Sequence, residues 1–503
     1  MKRTPITALV PGDKRALIAI DLGAESCRVS LLRWKGGEPT MMLVHRFGNA
    51  PRMIEGGLRW DLGGIEAGLD EGLRLCAAIA DEGVRSIAID GWAVDYVRVG
   101  EDGEALGDPF CYRDDRTIGA EKLLHERISP QRMRDLTGVQ LFRINTLYQL
   151  YADLLNGSPT GRTWLNLPEY FLSRLGGEQV AELTNATHTQ MVELGKRRWC
   201  DEIFEAAGLN VARAPNIVPA GTILGTLRGP LAELEAFRET LLIAPACHDT
   251  ASAIAGIPAE GNDWAYISAG TWSLVGTVLN GPMNDTDVRA DNFTNLSGVG
   301  GRTCFHMNVN GMWMLRQCIG DWSRDGVLWT AQDLVEAVQE FPRPLGLIDV
   351  DHPDFLLAGR MTGTINAHLR QEGYPTLDER GANAPAFAHL IFHSLAARYA
   401  QVLERVAFHS GKKLKRLFIV GGASQNDLLN RLTEEATGLE VVRGSAESST
   451  VGNFATQMAA LEGARDPLTG GISAEDVLQW AKLFAAASFS PSKNAGDRGV
   501  LAT

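Results

Sequence analysis

The chain has 503 residues and a net charge of −13, with 22% charged residues and 45% in the hydrophobic class. That length exceeds what one hydrophobic core serves, so two domains of roughly 200–250 residues are expected. The acidic balance argues against a nucleic-acid or anionic-membrane partner, while small phosphorylated ligands stay open because a single loop can bind them.

The opening segment carries basic residues, but Pro5 and Pro11 break its apolar stretch, so no secretory signal is expected. No uncharged apolar run reaches the ~18 residues of a membrane span. Seven cysteines are scattered without a C-x-x-C pair, which fits a reducing cytoplasm, and none has zinc-site spacing. No heptad pattern or long exposed edge announces an oligomer interface.

The first structured stretch, ALIAIDLGAESCRVS at 16–30, reads as strand, glycine-bearing turn, strand. Further strands are expected near 41–47, 58–61 and 86–90, with a helix near 64–82 between the last two. From about 115 to 240 the pattern turns helix-rich and reads as an insertion on a first lobe. ISPQRMRDLTG and NTLYQLYADLLNG are its clearest helices, with Gly138 and Gly157 as C-caps. APACHDTASAIAG, 244–256, sets His248 and Asp249 between an apolar strand and a small-residue helix. Asp249 is either that helix's N-cap or a carboxylate offered to a substrate. IAGIPAEGND then reads as a hinge, and YISAGTWSL, 266–274, loosely echoes the first hairpin: Asp21 falls on Ser268, Gly23 on Gly270 and Ser26 on Ser273. A helix over 385–410 leads into the strand KRLFIV, the turn GGASQN and the helix LLNRLTEEATG. Residues 464–503 read as a polar, helical tail.

Two glycine hairpins and a glycine turn between strand and helix are phosphate-friendly, because backbone N–H groups there can approach an anion. Together they describe an α/β chain of two actin-like, ribonuclease H-like lobes with an interlobe cleft, in which Asp21 organises Mg²⁺ and Arg28 is a cation near the phosphates. The P-loop, the Rossmann glycine fingerprint, the protein-kinase glycine loop, G-x-S-x-G and H-E-x-x-H are all absent.

The residues IAIDLGAESCR, SIAIDGWAVDY, CYRDDRT, NTLYQLYADL, LPEYFLSRL, LTNATHTQMV, CHDTASAI, SAGTWSLVG and FIVGGASQN, in order from about 16 to 460, resemble the FGGY carbohydrate-kinase family. The resemblance implies an N-terminal lobe over 1–255, with sugar site and catalytic base, and a C-terminal lobe over 256–503 that binds ATP. It implies ATP- and Mg²⁺-dependent phosphorylation of the 1-hydroxyl of a ketose, L-rhamnulose first, with L-fuculose, L-xylulose or a related ketose or polyol as the alternative. Asp249 would be the general base, with Ala24, Glu25, Ser26, Cys27 and Arg28 forming the first phosphate loop behind Asp21. Thr271 would serve the second loop, Arg316 the nucleotide and Gly422 the adenosine. The sugar would meet Ala93, His248, Thr250 and Asn308, with Trp92 as an apolar wall. Family members acting on L-rhamnulose tend to have glycine at Ala93 and glutamine at Arg316, and the usual third glycine of the GGA turn is Ala423. Residues 349–362 resemble the family only in part.

A non-catalytic actin-fold ATPase or a sugar sensor is the reading from another class. A chaperone would need a substrate domain after the two lobes and a repressor a DNA-binding helix pair before Ala16. About forty and fifteen residues stand in those places.

Overall fold

The computed structural model describes residues 11–158, 163–338, 341–356, 359–465, 470–487 and 489–491. Part of the expected tail, 466–469, 488 and 492–503, lies outside the described residues. The rest of it holds the helix Ala474–Ala485 and the short strand Phe489–Pro491.

The chain divides into two compact units: residues 1–258, 279–304 and 449–503 form the first, and 259–278 and 305–448 the second. The first break falls inside the Pro/Gly segment read as a hinge. The sequence-based division follows the chain, whereas compactness places the stretch from Ser449 with the first unit.

The first unit is built on a seven-stranded sheet in the order Thr222–Thr226, Leu241–Ala244, Val84–Gly91, Ala16–Leu22, Ser26–Lys35, Glu38–Gly48, Phe489–Pro491. The strands Leu241–Ala244, Val84–Gly91 and Ala16–Leu22 are mutually parallel, and hairpin partners flank them. Alternation along Ala16–Leu22 sorts its side chains onto two cores. Ile18 and Ile20 pack with Ile65, Leu69 and Leu73 of the helix Leu62–Ile79. Leu17 and Ala19 pack with Phe454 and Met458 of the helix Ser448–Glu462 and with Trp480 and Phe484 of Ala474–Ala485. A strand buried on both faces reads as a continuous apolar run, which is why ALIAI stands out.

Polar side chains fix the helix Ser448–Glu462 in register. Fully buried Gln457 accepts from Ser86 Oγ at 2.6 Å and donates to the Ile18 carbonyl at 3.0 Å, and Asn453 donates to Asp90 at 2.6 Å. Leaving such groups unpaired would cost ~1–3 kcal/mol each, so the helix has one acceptable seat. The helix-rich region carries a core of its own around Leu124, Met133, Tyr148 and Phe204. Gly138 caps the helix Pro130–Thr137 at φ 65, and Gly157 follows the helix Thr146–Leu155 at φ 70.

In the second unit, Thr303–Asn310, Trp272–Leu279, Trp264–Ala269, Arg416–Val420 and Glu440–Arg443 lie side by side in that order. Trp264–Ala269 pairs antiparallel with Trp272–Leu279 and parallel with Arg416–Val420. The helix Ala384–Ser410 buries Phe387, Ile391, Leu395, Tyr399 and Val402 along one stripe, as its spacing predicts.

The two hairpins differ by one residue. Asp21 pairs with Arg28, seven positions on, whereas Ser268 pairs with Leu274, six positions on. The echo therefore holds as strand, turn, strand, but Ser273 occupies the register place of Cys27 rather than of Ser26. Its buried hydroxyl meets the Tyr399 hydroxyl at 2.6 Å.

Candidate active site

In open parallel sheets, ligands bind beyond the carboxyl ends of the strands. In the first unit three parallel strands end at one edge, and each delivers an aspartate. Asp21 and Asp90 are register neighbours, and a backbone bridge from Gly91 to His248 brings Asp249 to the same edge. Gly23 makes the turn after Asp21 possible, since a Cβ there would run into the Ser26 carbonyl.

Asp21 is buried, and its Oδ2 accepts from Arg28 Nη1 at 3.0 Å and from Ser449 Oγ at 2.8 Å. Asp90 is fully buried, and lost hydration together with the Asp21 charge pushes it well above the carboxylate range. Its Oδ1 has no partner among the described residues. Desolvation and then the Asp21 charge push Asp249 up to about 7, against the pull of hydrogen bonds from Thr250. Even so, 34% of the Asp249 side chain stays accessible. It is an open carboxylate poised near neutrality.

The N-cap of the helix Asp249–Ala255 is His248, whose side chain makes no capping bond, and Asp249 is the first helical residue. Asp249 Oδ1 accepts from the Thr250 N–H at 2.5 Å and lies 3.3 Å from His248 Nε2. His248 Nδ1 lies 3.1 Å from His188 Nε2, and burial holds His188 down at about 3, in its neutral form. The arrangement that gives every proton a partner has His188 donating to His248 Nδ1 and His248 Nε2–H donating to Asp249. Behind this, Glu182 accepts from the Cys247 N–H and the Thr184 hydroxyl, and Glu169 accepts from the Glu182 N–H and Asn185. Burial lifts these two glutamates to about 7 and about 8.

The remaining predicted residues of this unit cluster along the same edge. Ala24 packs on the core, Glu25 is exposed with its carbonyl accepting from Asn49, and Ser26 Oγ accepts from Arg46. Cys27 points into the core, where burial pushes its thiol up to about 12, so its side chain is not offered to the edge. Thr250 is buried, and half-buried Ala93 follows Trp92. Trp92 is turned inward rather than forming a wall: it is 6% exposed, its ring centroid 4.6 Å from that of Trp60. Both indoles donate to one oxygen of Asp95, at 3.0 and 2.6 Å.

In the second unit, Arg316 Nη1 donates to Thr271 Oγ1 at 3.3 Å. Met312 and Trp313 donate their N–H groups to the Gly270 and Thr271 carbonyls, and Gly311 lies so close that a Cβ would stand 2.8 Å from the Thr271 carbonyl oxygen. Gly421, at φ 85, lies against the Ala269 carbonyl and sets Gly422 on the exposed turn beside the hairpin. Asn308 is half-buried on the strand Thr303–Asn310.

Reading the sequence missed Asp90, Asp95, His188, Ser449 and Asn453. A signal for Asp90 was present: the tetrapeptide IAID occurs at 18–21 and again at 87–90, and the two copies are the adjacent strands.

Sequence models of the FGGY family of carbohydrate kinases match this chain twice, the N-terminal domain over residues 16–256 and the C-terminal domain over 265–461. The rhamnulokinase of Bacteroides thetaiotaomicron is 34% identical over 458 residues, covering 90% of this chain and 92% of that protein. That of Enterococcus faecalis is 32% identical over 453 residues, covering 89% and 90%. Among solved structures, gluconate kinase from Lactobacillus acidophilus superposes with a TM-score of 0.73 at 16% identity, covering 95% of this chain and 94% of that one. Plasmodium falciparum glycerol kinase with ADP gives 0.68 at 11%, with the same coverage. These likenesses show the two-lobed, actin-like α/β fold.

Proposed function

We propose that this chain, which belongs to the FGGY family of carbohydrate kinases, transfers the γ-phosphoryl group of ATP to the 1-hydroxyl of L-rhamnulose. ATP is the substrate that the family implies, and the choice of sugar is supported by the rhamnulokinases that resemble the chain over nine-tenths of its length. The single observation that carries the chemistry is Asp249, an open carboxylate at about 7 at the edge where Asp21 and Arg28 also end. A base near the working pH can take a hydroxyl proton and still be ionised beforehand. Asp249 accepts the 1-hydroxyl proton as that oxygen bonds to the γ-phosphorus, and the bond to the bridging oxygen breaks to release ADP. Here His248 orients Asp249 and, with Thr250, Ala93 and Asn308, holds the sugar. Ala24, Glu25, Ser26, Cys27 and Arg28 form one phosphate loop. Thr271 and Arg316 serve the other, and Gly422 approaches the adenosine.

The carboxylates at this edge fit a hydrated Mg²⁺ ion, because Asp90 Oδ1, beside Asp21, is buried with no partner among the described residues. Asp21 would hold the ion, which when bound neutralises phosphate charge. We divide the roles along the chain, with sugar and base on residues 1–255 and nucleotide on 256–503, and place the protein in the cytoplasm on its seven buried cysteines, scattered without a C-x-x-C pair.

Asp249→Asn is expected to bind ATP normally while sugar-dependent ADP release falls by ~10²–10⁴; unchanged turnover would sink the assignment of the base. For the wild type, kcat/KM should fall tenfold per pH unit below about 7 and level off above it. The sugar is tested by kcat/KM over a panel of ketoses and polyols. The methyl of Ala93 narrows the sugar-side turn, which keeps L-fuculose or another ketose or polyol as the second reading, and a clear preference for one of these would overturn the first.

A further inference from the structure

Residues 349–362, which resemble the family only in part, hold two of three side chains in an arrangement that phosphoryl transfer does not use. His352 precedes the single helical turn Pro353–Leu356, and His368 lies on the helix Met361–Gln371. We propose that His352, Asp354 and His368 form a second cation site, which takes a divalent ion with the size and softness of zinc and leaves its fourth position to water.

The ligand atoms of the three side chains lie within 4.8 Å of one another. Asp354 Oδ2 stands 3.2 Å from His368 Nε2 and 3.6 Å from His352 Nδ1. Two ligands at ~2.0–2.1 Å from a tetrahedral ion stand about 3.3–3.4 Å apart, between those two separations. A hydrogen-bonded cluster accounts for less. His352 Nδ1 carries a lone pair that a long 3.3 Å contact from the Asp354 N–H engages, and it stands 3.6 Å from a carboxylate oxygen, so an ion between the two would take the place of that contact. A bridging cation satisfies both groups.

Two imidazoles and one carboxylate suit zinc better than magnesium, which prefers six oxygens, or copper(I), which prefers sulfur. The ligands are also held in place. The His368 ring lies 4.3 Å from that of His352 and 4.7 Å from that of Phe355. Upstream, Asp351 accepts from the Asn310 N–H at 3.0 Å and from Arg398 Nε at 2.7 Å. An ion here would staple the Pro353–Leu356 turn to the helix Met361–Gln371. All seven cysteines are buried and are poor competitors.

The test is calorimetric titration of the full-length protein with Zn²⁺ in excess Mg²⁺, beside thermal melts with and without one equivalent of Zn²⁺. One tight equivalent is expected, weakened at least tenfold in both His352→Gln and His368→Gln, with a zinc-dependent rise in Tm in the wild type alone. The His352 side chain is 40% exposed, so its variant should fold and keep sugar-dependent ADP release. Absence of zinc binding, or equal binding in wild type and both variants, would overturn the proposal. Neither result bears on the kinase reading.

Discussion

Val94 sits at φ 72, a conformation that costs a β-branched residue on the order of 1–3 kcal/mol. Its surroundings hold it there: the Val94 carbonyl accepts from Thr146 Oγ1 at 2.7 Å and from Gln149 Nε2 at 3.3 Å. Next to it, Asp95 gathers the Trp60 and Trp92 indoles and Gln149, so the turn carrying Ala93 is fixed from below. Asp95→Asn would set an amide donor among the indoles, Gln149 and the Tyr112 N–H and strand at least one of them. The expected loss is ~1–3 kcal/mol of stability in urea unfolding, with a higher KM for the sugar than for ATP. None of this was legible in sequence, because SIAIDGWAVDY shows residue types but not that a valine has positive φ. Asp249, by contrast, was legible as a carboxylate between strand and helix. The structure sets aside the N-cap reading, since His248 takes that place and Asp249 is the first helical residue, while burial beside Asp21 supports the proposed base.

At the scale of elements, glycine-bearing hairpins and strand periodicity were read correctly because they are local properties. The one-residue difference between the turns was not, since pairing register depends on which backbone groups meet across the turn. The seat of the helix Ser448–Glu462 was hidden for a related reason: its apolar residues announce a core face but not which sheet it covers. Gly452 shows how close that contact is, since a Cβ would run into the Ser252 carbonyl on the helix that begins at Asp249. Gly452→Ala should therefore cost ~1–3 kcal/mol by overpacking and displace Asp249. Thermal melts together with sugar-dependent ADP release check this, and a stable variant with unaltered turnover would show that the two helices part easily.

For the molecule as a whole, buried acids set a pH dependence. Glu169 and Glu182 have folded values near 8 and 7, above the 4.5 of an exposed glutamate, so the folded state binds more protons in between. Their stabilisation is complete below about 4.5 and is lost as pH rises through 7 to 8. His188 acts oppositely, from about 3 to 6.5, and there offsets only one of the two glutamates, so stability should fall with rising pH, without that offset over pH 6.5–8. Chemical denaturation across that window checks the sign, and Glu169→Gln should flatten the slope. The fold class was legible because alternating strands and helices imply layered sheets. The division into units was not, since the first unit is discontinuous along the chain. That discontinuity matters during synthesis. A ribosome delivers Asp21, Ser86 and Asp90 hundreds of residues before Ser449, Asn453 and Gln457, the side chains that bond to them. The first sheet therefore waits with buried acids unmet while the second unit is made. Nascent chains released before Ser449 should be clients of chaperones, whereas the second unit has by then received all of its own residues.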